Sequence, residues 1–171
     1  MQNALSTETL EVIRMRFDAQ RSFEAVKTAL LRQMGRISTE DMGKSLKAAA
    51  SADDFEKSLA AFTGESGFML FYEIDHSRWL PLYGIKQKAV RLIFGNPLIA
   101  ITMIKHDINA ALFAPVELLL VESEDGDGCT ILYDLPSSLM RAKRQPQLLD
   151  AAQQLDAKFQ ALVSQATGLA G

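Results

Sequence analysis

The sequence predicts an α+β fold in which an antiparallel sheet is backed by helices on one face. Three observations carry that expectation. Two apolar runs, Val116–Glu122 and Cys129–Asp134, flank Ser123-Glu124-Asp125-Gly126-Asp127-Gly128, the pattern of a β-hairpin. Leu148, Ala152, Leu155, Phe159, Leu162 and Ala166 recur at spacings of four and three, which puts them on one face of a long terminal helix stopped by Gly168. Phe68–Ile74 is aromatic-rich and apolar on both faces as far as Glu73, as a buried strand requires. Locally joined strands, with long helices set apart from them, are the α+β pattern.

The elements follow in chain order. Leu10, Val12, Ile13, Met15 and Phe17 alternate with one slip, which predicts a first strand over Leu10–Phe17 with a bulge. Phe23, Val26, Leu30 and Met34 form one helical stripe, with Ser22 as N-cap and Gly35 as C-terminal stop. Ile37–Thr63 reads as a more polar helical pair. In it Ser51 and Asp54 make a capping arrangement, Phe55, Leu59 and Phe62 supply the buried stripe, and the Ala-rich Lys47–Ala52 joins the halves. Trp79–Gly84, with Pro81, is a loop, and Ala89–Phe94 is an apolar strand. Gly95-Asn96-Pro97 ends that strand and starts a short helix, Pro97–Lys105, because Asn is a good N-cap and Pro suits the first helical position. Val116–Glu122 is apolar on both faces apart from Glu117, so it belongs in the middle of the sheet.

The 171 residues suit one domain, with 36–64 a helical insertion after the first helix and 147–167 the terminal helix. Hydrophobic residues at 48% and charged residues at 23% match a globular chain with a core of its own. Eighteen Lys+Arg against 21 Asp+Glu give a net charge of −3, which removes the electrostatic basis for nucleic-acid binding. The basic residues are grouped only as Lys86, Lys88 and Arg91, on one predicted strand, and Arg141, Lys143 and Arg144 before the last helix; both groups read as solvated surface. Cys129 is the single cysteine, so no intrachain disulfide or cysteine metal cluster forms, which suits a reducing compartment. The N-terminus lacks the layout of a signal peptide, and no run reaches the ~18 apolar residues of a membrane span. The expectation is a cytoplasmic protein with no nucleic-acid or membrane partner and no cofactor.

Asp75-His76 at a strand end, Phe94-Gly95-Asn96-Pro97 after the next strand, and an acidic Gly-containing hairpin before Tyr133 occur in that order. This arrangement resembles the bacterial and archaeal family called domain of unknown function 302, best between residues 67 and 136. The resemblance implies a curved antiparallel sheet crossed by a long helix, a topology similar to that of the TATA-binding protein, and a homodimer. It implies no activity. The chain departs from the family in carrying Ala114-Pro115 where Leu-Pro is usual, and in the helical segment Ile37–Thr63, which would alter any shared site if it covered the sheet edge or groove.

His76 is the first candidate site residue. It leaves the sheet at a strand end, and histidine is the residue type suited to act as an acid, a base or a ligand; fixing the turn through a backbone carbonyl is the plainer role. Gly95 and Asn96 open a helix whose N-terminal N–H groups suit a carboxylate or phosphate, with Lys86 or Lys88 as counter-charges; Asn96 capping its own helix also explains the motif. His106 and Asp107 follow a predicted helix end, and His76, His106 and Asp75 are chemically suited to zinc, but no spacing encodes that site. Counted from Glu122, the acidic hairpin puts Gly126 fifth and Tyr133 twelfth, which fails the calcium-loop pattern. Cys129 and Tyr133 share a face with Ile131 and read as core, as do the methionines. No nucleophile triad, phosphate loop or dinucleotide fingerprint is present.

Together with the homodimer that the resemblance implies, these features predict a non-enzymatic module that binds a small anionic or apolar molecule, or a partner. Its site would lie on the concave side of the sheet or where Asp75 and His76 meet Gly95, Asn96, Lys86 and Lys88. Two further readings stand beside it. One is a small enzyme with His76 as general acid–base oriented by Asp75 or Asp107. The other is a structural interaction module that uses Ile37–Thr63.

Overall fold

The structure, a computed structural model, describes residues 5–140 and 145–168. Arg141, Lys143 and Arg144 lie outside the described residues. Six strands form one curved, open sheet: β1 (Arg14–Ala19), β2 (Gly35–Arg36), β3 (Met69–Asp75), β4 (Ala89–Gly95), β5 (Val116–Glu122) and β6 (Cys129–Asp134), in the spatial order β1-β6-β5-β4-β3-β2. Every pair is antiparallel except the short β2, which runs parallel to β3 at the edge. The helices are α1 (Phe23–Gln33), α2 (Thr39–Ala48), α3 (Ala52–Leu59), α4 (Pro97–Ile104), α5 (Pro136–Leu139) and the 22-residue α6 (Pro146–Thr167).

Local chemistry sets most boundaries. Ser22, Ser38 and Ser51 each accept from a backbone N–H in the first turn of the helix they precede, and Ser51 Oγ also meets Asp54 Oδ2 at 2.9 Å. Gly168 takes the left-handed conformation (φ 75°) that ends α6. β5 lies between β4 and β6 in the middle of the sheet, as its two apolar faces require. α1 and α6 cover one side of the sheet. There Val26, Leu30, Leu155 and Phe159 meet Leu92, Phe94, Leu118, Leu120 and Ile131 in the main core. Phe159 stacks on Tyr133 at 3.9 Å and meets Phe94 edge-on at 5.1 Å.

Four expectations need correction. The first strand starts at Arg14 and pairs with β6 without a break from Arg14↔Asp134 to Ala19↔Cys129, so it has no bulge. Met15, Phe17 and Ala19 face the core, while Leu10, Val12 and Ile13 precede the strand and are exposed, because the β6 ladder ends at Asp134 and only single bonds from Leu135 N and to Ser138 Oγ reach Ile13 beyond it. The register irregularity lies in β3, between Leu70 and Tyr72. Gly35 is not a left-handed stop. Met34 caps α1 in extended conformation and Gly35 enters β2, where an added Cβ would stand 1.8 Å from the carbonyl oxygen of Phe62.

Lys86 and Lys88 precede β4 rather than lying on it; of the three basic residues only Arg91 is in the strand. The helices are not confined to one face either. Met69 alternates with Leu70, so it turns to the opposite side and packs with Ile37 and Leu59 in a second small cluster supported by Met42, Phe55 and Phe62. The pair α2–α3 therefore covers a corner of the other face near β2, and the rest of that face stays open.

Candidate functional site

β3 delivers Asp75 and His76 to one end of the sheet. Asp75 accepts from Ser77 N at 3.0 Å and so caps the 3-10 turn His76–Arg78. Ser77 ties that turn to the start of β4: Ala89 N donates to Ser77 Oγ at 3.0 Å and Ser77 Oγ donates to Ala89 O at 3.3 Å. His76 is half-buried, and its ring meets Trp79 edge-on at 5.7 Å. Its imidazole has no hydrogen-bond or ion-pair partner among the described residues. Asp107 accepts from Asn109 N at 2.9 Å, so it and Asp75 are both committed to turns, and neither orients the imidazole.

The Gly95-Asn96-Pro97 turn stands at the opposite end of the same strands. Met69 pairs with Gly95 and Asp75 with Val90, so roughly 20 Å of strand separates the turn from His76 at ~3.4 Å per residue. Lys86 and Lys88 precede β4, so the whole of that strand separates them from Gly95. Lys88 is in any case paired with Glu24 (3.1 Å) and Glu122 (3.4 Å). The expected meeting of Asp75, His76, Gly95, Asn96, Lys86 and Lys88 in one site does not occur, because antiparallel pairing sends the end of β3 and the end of β4 in opposite directions.

The turn also offers an anion nothing to bind. Asn96 Oδ1 accepts from Leu98 N at 2.8 Å, Asn96 O accepts from Ile99 N and Ala100 N, and Pro97 has no N–H. Asn96 Nδ2 donates to Gly67 O at 2.9 Å, so both ends of the side-chain amide are engaged within the chain. What adjoins the turn is an apolar cavity of about 230 Å³ among Phe68, Phe71, Met103, Pro115 and Leu155.

His76 borders a larger depression of about 580 Å³ on the open face of the sheet. Outward-facing Arg91, Leu119 and Leu132 lie across its floor, and Phe113 and Pro115 stand on its wall. Two ion pairs cross it. Arg91 pairs with Glu117, and Arg14 grips Asp134 through Nε–Oδ1 at 2.7 Å and Nη2–Oδ2 at 2.9 Å. Hydrogen bonding and charge from Asp134 raise the Arg14 pKa above its ordinary value. Both guanidiniums thus have carboxylate partners, whereas the imidazole of His76 on the rim has none among the described residues.

The paired charges were absent from the sequence expectation. Their signal was present in the strands: Arg91 and Glu117 are isolated charges in otherwise apolar runs, which marks the face that does not pack on helices.

The described residues hold no group of three or more His, Cys, Asp or Glu side chains arranged to bind a metal ion, so Asp75, His76 and His106 do not converge. Cys129 is buried, its Sγ lies 3.4 Å from Arg21 O, and desolvation raises its thiol pKa. No described helix is long and apolar enough to cross a membrane.

The fold itself has a solved counterpart, an uncharacterised conserved protein of the same kind from Bacillus stearothermophilus. At 15% identity it covers 90% of this chain and 97% of its own, with a TM-score of 0.59. Among curated proteins nothing matches. The family model described as domain of unknown function DUF302 matches residues 44–166, from inside α2 almost to the end of α6, and with more than half of its length so matched the chain belongs to that family.

Proposed function

We propose that the chain is a homodimeric, non-catalytic binding module that holds a small molecule in the open-face depression beside His76. One observation carries the reading. The depression has a volume usual for ligand sites, roughly 300–1,000 Å³; the charged groups crossing it are paired, and the imidazole on its rim is unbonded. The ligand that fits has an apolar body, to lie on Leu119, Leu132 and Phe113, and one polar group to meet His76. A strongly charged ligand would have to displace Glu117 or Asp134 from its arginine. The acid–base enzyme reading is the weaker one, because Asp75 and Asp107 are spent on turns and leave His76 without an orienting carboxylate.

The test compares the native mass of untreated protein with its denatured mass. Extra mass that is lost on denaturation, absent from a Leu119→Trp variant that fills the floor, and reduced in His76→Ala is the expected result. An adduct that persists in Leu119→Trp would place the ligand elsewhere, and protein without adduct in every preparation would remove the support for a resident small molecule.

A further inference from the structure

The segment joining β3 to β4 carries a concentration of exposed apolar side chains: Trp79 (46% exposed), Leu82 (83%), Tyr83 (75%) and Ile85 (44%). Proteins rarely leave such side chains clustered in water without a covering surface. Two exposed cations, Arg78 and Lys86, bracket the cluster, and neither makes an ion pair among the described residues. The segment is built from 3-10 turns closed by Gly84 at φ 76°.

At the same end of the sheet lies a feature of opposite charge. A cleft of about 510 Å³ opens beside the β5–β6 turn, lined by Asp18, Glu122, Glu124, Asp125 and Asp127 with Arg16 as the cation among them. Glu124, Asp125 and Asp127 are exposed and form no ion pair among the described residues. The loop and the cleft are neighbours. Gln87, which ends the loop, also lines the cleft and donates to Glu122 O at 3.0 Å. β3 and β5 stand two strand spacings apart, roughly 10 Å, with β4 between them.

We infer that the Arg78–Lys86 loop is the self-association surface of this chain, each copy's apolar-basic loop docking on the other copy's acidic cleft. A two-fold axis perpendicular to the strands, just beyond this end of the sheet and between the two features, brings both contacts into register at once, as a closed, self-complementary interface requires. The aromatic and aliphatic side chains supply the buried centre, and the unpaired cations and carboxylates supply orientation. An anionic membrane is the other surface that an apolar-basic loop suits. The acidic cleft favours the second copy, because the same end of the molecule would press Glu124, Asp125 and Asp127 against the lipid. This inference rests on the dimer reading above and adds the surface to it.

Trp79 is the single tryptophan, so its fluorescence reports the loop directly. The experiment measures mass by light scattering and Trp79 emission across a dilution series, for the wild type, Leu82→Asp, Arg78→Glu/Lys86→Glu, and the latter combined with Glu124→Lys/Asp127→Lys. Circular dichroism checks the fold of each. The expected result is a wild-type dimer whose emission shifts red on dilution. Leu82→Asp should weaken association by about 30-fold or more, as loss of a buried anchor does. The double charge reversal should also weaken it, and the quadruple variant should recover it.

A monomeric wild type at all concentrations would overturn both the dimer reading and this surface. A dimer unchanged by Leu82→Asp and by the charge reversals would overturn the surface alone. A Trp79 blue shift on adding phosphatidylglycerol vesicles, without concentration-dependent association, would assign the loop to lipid instead.

Discussion

Asn96→Ala should destabilise the protein by about 2–3 kcal/mol, whereas His76→Ala should cost less than about 1 kcal/mol. The first figure is a sum of two bonds. Loss of the cap on Leu98 N costs about 1 kcal/mol. Loss of the Nδ2 donor leaves Gly67 O without its side-chain partner at a position where Asn96 is only 9% exposed, which costs about 1–2 kcal/mol more. His76 makes no hydrogen bond among the described residues, so its truncation forfeits little beyond the edge-on contact with Trp79. For a chain of this length the Asn96 figure corresponds to a fall in Tm of about 4–12 °C. Urea titration at pH 7 gives both values, and Asn96→Ser separates the terms, since a serine hydroxyl keeps the cap and gives up the reach to Gly67. The expected order of stability is wild type, His76→Ala, Asn96→Ser, Asn96→Ala. Equal losses for His76→Ala and Asn96→Ala would make His76 structural and remove it as a ligand contact.

Three further outcomes follow from the packing. Gly35→Ala should cost at least about 3 kcal/mol, because its Cβ would fall 1.8 Å from a backbone oxygen, while Gly43→Ala, in open space within α2, should gain up to about 1 kcal/mol in a thermal melt. Tyr133 Oη is buried with no partner, so Tyr133→Phe should match or exceed wild-type stability at pH 7. Burial, with the nearby Asp156 charge, pushes the Tyr133 pKa up to about 12 from about 10 unfolded. The neutral phenol therefore contributes stability in full below pH 10 and loses it as pH rises through 12, so urea midpoints of the wild type should fall relative to Tyr133→Phe across that window. Cys129, buried with a raised thiol pKa, should react with a disulfide reagent slowly at pH 8 in the native protein and at the rate of a free thiol in urea.

Periodicity and capping made most of the fold legible. The stripe from Leu148 to Ala166, the Asn96-Pro97 start and the hairpin around Gly126 each state their geometry within a few residues, and each is where it was expected. The errors arose where a distant segment decides. Val12 and Ile13 carry the alternation of a strand, but the ladder stops at Arg14↔Asp134, and Ile13 is held instead by Leu135 N and Ser138 Oγ, on the turn after β6. Gly35 looks like a helix stop, and what demands glycine there is the Phe62 carbonyl, brought in by the chain that follows α3.

The site was less legible for a geometric reason. Adjacent antiparallel strands place consecutive strand ends at opposite edges of a sheet, so polar residues ending β3 and β4 are brought apart. Residues on non-consecutive ends meet instead: His76 after β3 shares a depression with Arg91 in β4, Leu119 in β5 and Leu132 in β6, all by register across the sheet. The same rule puts the Arg78–Lys86 loop beside the Glu124–Asp127 turn, since both follow odd-numbered strands that run the same way. A sheet that buries one face under α1 and α6 must dispose of the other, and here paired charges do so across the middle while unpaired apolar and charged groups gather at one end. That division is the physical reason to place a small ligand on the face and a second copy at the end.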